Sequence, residues 1–77
     1  MFDQTARALI ADHLAVPVEL VRDEARFISD LGADSLDMVE LAMRFETRLD
    51  ISIADDESES CQTVRDALAL IQAKIAA

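Results

Sequence analysis

Only Pro17 and Gly32 belong to the residue types that stop a helix or turn the backbone freely, so the chain has very few places to break. A single proline and a single glycine in 77 residues favour helices joined by a small number of connections. No useful length of strand-like alternation occurs, and no internal repeat is visible. Apolar residues instead recur at helical spacing. Phe2, Ala6, Leu9, Ile10 and Leu14 mark a first helix from about Asp3 to Ala15, with Arg7 and Asp12 off its apolar stripe. Pro17 ends it, because the residue before a proline is pushed out of helical angles. A long connection to Gly32 follows, with Val18, Leu20, Val21 and Phe27 as apolar anchors. A loop of that length in a small domain packs down or carries function.

The second helix is the best specified. Asp34 and Asp37 have capping-box spacing, and Ser35 is itself a residue type that caps well. Over Ser35–Leu49, Leu36, Met38, Val39, Leu41, Ala42, Met43, Phe45 and Leu49 make a broad apolar surface. That width predicts a central helix with at least two neighbours. Its outward stripe is Asp37, Glu40, Arg44 and Arg48. Beyond Ile51-Ser52-Ile53, Asp55 can cap a short helix in the acidic stretch Asp55–Glu59. A last helix starts near Thr63, again with capping-box spacing to Asp66. Its apolar face is Val64, Ala67, Leu68, Ile71 and Ile75, and Lys74 near its end complements the helix dipole. The expected fold is all-α: a small four-helix bundle with a long first loop and a short third helix, in one domain over residues 1–77.

Charge narrows the function. Seven Lys+Arg against sixteen Asp+Glu give −9, the wrong sign for a nucleic-acid binder. The chain is 52% hydrophobic, too aliphatic for disorder, yet no apolar run approaches the ~20 residues of a membrane helix. The start, MFDQTARALI, does not read as a secretory signal. Cys61 is the only cysteine, so it builds neither an internal disulfide nor a Cys-based zinc site, and a reducing, cytoplasmic setting is the expectation. No nucleophile–base pair or metal set is visible, so the chain is not expected to be an enzyme. Neither acidic stretch has an EF-hand pattern. His13, without carboxylate or cysteine neighbours in sequence, reads as a helix-face residue and not as a ligand or base.

Chemistry is concentrated in Asp30-Leu31-Gly32-Ala33-Asp34-Ser35-Leu36-Asp37, which ends a loop and opens a helix. Gly32 permits the turn, and a phosphate ester on Ser35 would lie at the positive end of the helix dipole. The plainer alternative is that Ser35 only caps the helix. The run LGADSLDMVEL resembles the signature of acyl carrier proteins, centred on Asp34-Ser35-Leu36. The resemblance extends over the whole chain, through Phe27 ahead of DLGADSL, the Ile-Ser-Ile segment and the Thr63-Val64 start of the last helix.

That resemblance implies a covalent 4′-phosphopantetheine on Ser35, taken from coenzyme A by a magnesium-dependent phosphopantetheinyl transferase. Asp34 would help to position the transferase's metal and substrate. Acyl groups would ride as thioesters on the arm to acyl-transferring and acyl-modifying enzymes of fatty-acid or related lipid and polyketide biosynthesis. Asp37, Glu40, Asp55, Asp56 and Glu57 would meet basic docking patches on those partners. A monomer is expected, with no nucleic-acid partner and no membrane insertion. Carriers of aminoacyl or specialised secondary-metabolite intermediates, and an unmodified acidic interaction module, are the alternatives.

Several positions depart from the family's usual pattern. Arg44 and Arg48 reverse the sign of the recognition helix along its length. Either they pair with Glu40 and its neighbours at i,i+4, or they mark a specialised carrier with fewer partners. Phe45 stands where an aliphatic residue is more usual; it either shortens the acyl cavity or is plain core. Cys61 falls at a buried aliphatic position and reads as a small hydrophobe. Ala54 replaces a common proline, which predicts a looser third helix.

Overall fold

The computed structural model describes residues 2–76, and its α-helices are α1 (Phe2–Leu14), α2 (Ser35–Leu49), α3 (Asp55–Ser60) and α4 (Val64–Ala76). The connection after α1 holds a short 3₁₀ turn, Val18–Leu20. No strand forms among the described residues; a single antiparallel bridge joins Arg26 to Thr63. The fold is the expected all-α bundle.

Helix α1 ends at Leu14, two residues before Val16, the neighbour of Pro17, and the stop is not made by the proline alone. Ala15 takes a left-handed conformation, φ 57°. Its N–H donates to the Asp12 carbonyl at 3.4 Å, and that of Val16 donates to the Ala11 carbonyl at 3.0 Å. This is the Schellman closure that normally uses glycine, whose missing Cβ removes the strain. Ala15→Gly is therefore expected to raise stability by about 0.5–1 kcal/mol, seen as a rise of several degrees in the thermal midpoint.

The long loop packs down. Val21, Ala25, Phe27, Leu31 and Ala33 are buried in the core. Backbone bonds stitch the loop to the start of α4: Phe27 N–H to Gln62 O at 3.0 Å, Val64 N–H to Ala25 O at 3.0 Å, and Arg65 N–H to Asp23 O at 2.9 Å. Arg7 of α1 ties down the loop's other side, donating to the Val21 carbonyl at 2.7 Å and to the Asp23 carboxylate. Two of the anticipated anchors do not bury: Val18 and Leu20 are exposed, since the 3₁₀ turn lifts them away from the core. Gly32 has φ +74°, and a Cβ there would meet nothing within 4 Å, so glycine is needed for its backbone angle and not for space.

Helix α2 packs on α1 and α3, and its Leu41 and Phe45 share a cavity with Ala67, Leu70 and Ile71 of α4. It is central, as its width predicts, but not all of that width is covered. Leu36, Val39 and Met43 are 63%, 40% and 58% exposed. Ile75 on α4 is likewise exposed. The α4 box forms as expected, with Thr63 N–H donating to Asp66 and Asp66 N–H donating to Thr63 Oγ1, both at 3.2 Å.

Helix α3 begins differently from the expectation. Asp55 lies in its first turn and Ala54 is the cap position, with Ala54 N–H donating to Glu57 Oε1 at 2.9 Å. A proline at 54 would lose this bond. Lys74 does not serve only the dipole of α4: its Nζ lies 2.8 Å from the same Glu57 oxygen and ties α4 to α3. Both contacts brace the first turn of the short helix.

Candidate functional site

Helix α2 opens on a complete capping box. Asp37 N–H donates to Asp34 Oδ1 at 2.8 Å, and Asp34 N–H donates to Asp37 Oδ2 at 3.1 Å. The cap is thus Asp34 in extended conformation, and Ser35 is the first helical residue, exposed and free of capping duty. The Ser35 and Leu36 N–H groups make no hydrogen bond among the described residues. An exposed hydroxyl beside free amides at a helix start suits a phosphate ester, because amides and dipole both favour its negative charge.

A groove of about 510 Å³ begins at Ser35 and runs past Ser29, Met38 and Val39 to Cys61. Beneath it lies an apolar pocket with only about 30 Å³ of free volume, bordered by Phe27, Met38, Leu41, Phe45, Ile53 and Ile71. That is about the share of one water molecule, so an occupant of this space must part the helices. Cys61 lies at the junction of groove and pocket. It is half-buried, and burial, then the Asp66 charge, pushes its thiol up from the ordinary value. That agrees with an unreactive small hydrophobe.

The charged stripe does not behave as one surface. Asp34, Glu40, Asp55 and Asp56 are exposed, and Asp37 is partly covered. Glu57 is held by Lys74 and the Ala54 N–H, which in that order keep its carboxyl below the usual glutamate range. A group with a depressed folded pKa contributes stability above its unfolded pKa and loses it as pH falls through the folded value. Glu57→Gln should therefore melt below wild type at pH 7, with the gap closing between about pH 5 and 3. The comparison between variants matters, because acidification towards the pI of 4.2 also relieves repulsion across the whole chain.

Arg44 does not pair along α2 with Glu40. Its Nη2 lies 3.3 Å from Asp12 Oδ2, and its Nη1 lies 3.3 Å from His13 Nδ1, both across the α1–α2 contact. Arg48 has no ion-pair partner among the described residues. His13, which local sequence leaves without partners, has two carboxylates at its other nitrogen: Nε2 is 3.7 Å from Asp37 Oδ1 and 3.4 Å from Glu40 Oε1. No local signal could have found this set, because helix crossing alone brings position 13 to positions 37–44.

The family model of the phosphopantetheine attachment site matches residues 4–71. The acyl carrier protein of Phenylobacterium zucineum is 49% identical over 74 residues, covering 96% of this chain and 94% of that protein. Those of Akkermansia muciniphila (47% over 70 residues, 91% and 88% covered) and Caulobacter vibrioides (49% over 73, 95% and 94%) are similar to nearly the same extent. No helix among the described residues is long and apolar enough to cross a membrane. The chain therefore belongs to the acyl carrier proteins, non-catalytic carriers of covalent 4′-phosphopantetheine.

Proposed function

We propose that Ser35 is the attachment point of the arm and that the chain, as one domain over residues 1–77, carries acyl thioesters between enzymes of fatty-acid or related lipid and polyketide biosynthesis. The observation that carries this reading is the division of labour at the start of α2: Asp34 caps, so the Ser35 hydroxyl stays free at a dipole end that favours its phosphodiester. The arm supplies a terminal thiol for thioester formation. The residues of this chain hold its root, shelter part of the cargo in the groove, and present docking charges. A tether of this kind turns each transfer into a local event at raised effective concentration.

Asp34 serves both the helix and the approach of the phosphopantetheinyl transferase. Asp37, Glu40, Asp55 and Asp56 form the acidic docking set. Glu57, already paired with Lys74, contributes less, because a partner must compete for it. The exposed Leu36, Val39 and Met43 supply apolar area between those acids. Arg44 and Arg48 set the far end of the helix apart, and Arg48 is the one whose charge is available to a partner. A carrier with this reversal selects partners that place an acid opposite it.

Two measurements test the reading. Incubation with coenzyme A, magnesium and a broad-specificity transferase should add one phosphopantetheine, and the loaded chain should deliver an acyl group to a fatty-acid condensing enzyme. Arg48→Glu should bind a general condensing enzyme several-fold faster, chiefly in on-rate and chiefly at low salt. Equal on-rates for wild type and variant would remove the selectivity argument.

A further inference from the structure

We propose that His13, Asp37 and Glu40 form a binding site for a divalent transition-metal ion of the zinc type. One donor atom from each of the three lies within 4.8 Å of the others. The imidazole Nε2 is 3.4 Å from Glu40 and 3.7 Å from Asp37. Donors about 2.1 Å from a shared tetrahedral zinc stand about 3.4 Å apart, so only small movements close the set. An imidazole with two carboxylates suits zinc or cobalt, whereas magnesium and calcium prefer all-oxygen sites.

Two of the ligands are already oriented. The Oδ2 of Asp37 is engaged by the capping-box bond from Asp34 N–H, which leaves Oδ1 turned towards His13. His13 sits in the last turn of α1 with its side chain only 13% exposed, packed against α2. Outer contacts that fix ligand orientation are a regular feature of metal sites. Glu40, 49% exposed, leaves a side open to solvent for a fourth ligand.

Arg44 opposes the ion. Its Nη1 lies 3.3 Å from His13 Nδ1, where its N–H can donate only if Nδ1 is unprotonated and the ring proton is on Nε2. When Nε2 binds metal, that proton moves to Nδ1, and Arg44 must withdraw towards Asp12, 3.3 Å from its other nitrogen. Arg44 is thus an affinity-lowering neighbour, and its removal should tighten binding. An ion here would also cancel acids that the docking reading assigns to partners, but the site itself does not rest on that reading.

The test is titration of zinc chloride into the full chain lacking the arm, followed by calorimetry, with cobalt chloride and visible absorption as a geometric check. One ion per chain is expected, with intense tetrahedral-type cobalt bands. His13→Gln and Glu40→Gln should each weaken binding about tenfold or more. Arg44→Gln should tighten it several-fold, and Cys61→Ser should leave it unchanged. Glu40 is exposed, so its variant keeps the test valid if His13→Gln fails to fold. Zinc binding that survives Glu40→Gln, that is lost in Cys61→Ser, or that equal magnesium abolishes would overturn the site, as would no binding by wild type at millimolar zinc.

Discussion

Ser35→Ala stays at its unmodified mass after incubation with coenzyme A, magnesium and a competent transferase, while wild type gains one phosphopantetheine. The expected effect is complete loss, because the substitution deletes the attacking oxygen itself. It is also a clean deletion. Alanine is the best helix former, Ser35 is exposed, and the capping bonds belong to Asp34 and Asp37. The variant should therefore keep the wild-type far-UV spectrum and a stability within about 0.5 kcal/mol of wild type, as an exposed substitution does. Asp34→Ala is the informative companion. It removes the cap, at a cost of about 1 kcal/mol, and should slow loading without abolishing it. Ser29 lines the same groove, so modification that persists in Ser35→Ala and vanishes in Ser29→Ala would move the attachment point.

The parts of this molecule that were legible in sequence are those decided within one helical turn. The boxes Asp34/Asp37 and Thr63/Asp66 follow from a spacing of three, and the structure forms both. The start of α2 follows from the same local chemistry, and the apolar period gives Ala6, Leu9, Ile10, Leu41 and Phe45 as core. What escaped is decided by helix crossing. Arg44 prefers Asp12 and His13 on another helix to an i,i+4 partner on its own, because the α1–α2 contact holds those groups near its guanidinium. Lys74 finds Glu57 for the same reason, and Arg7 finds Asp23 because the long loop packs down against α1. The exposure of Leu36, Val39 and Met43 shows the limit of an apolar arc: its width counts neighbours but does not say that all of them belong to the same chain. Ala15 escaped differently, since its left-handed angle is imposed by the helix stop and not by its own preference.

Phe45→Ala should cost about 3–5 kcal/mol, close to the whole net stability that the core of so small a domain supplies. A fall in the thermal midpoint of about 15 °C or more follows. The ring is 4% exposed and borders the apolar pocket, so its loss opens a hole where wild type has only about 30 Å³ free. That hole decides between the two roles open to Phe45. A thioester-linked octanoyl chain that enters it buries methylenes worth about 0.8 kcal/mol each, so four of them return about 3 kcal/mol. Wild type, already filled by the ring, must part its helices to take the same chain and should gain less. If Phe45 limits the acyl cavity, acylation therefore raises the midpoint of Phe45→Ala by clearly more than that of wild type, and Phe45→Leu falls between them. The leucine variant keeps most of the apolar volume, so it loads even if the alanine variant is too unfolded for the transferase. Equal gains from acylation in all three chains would make Phe45 plain core and place the chain's path elsewhere along the groove.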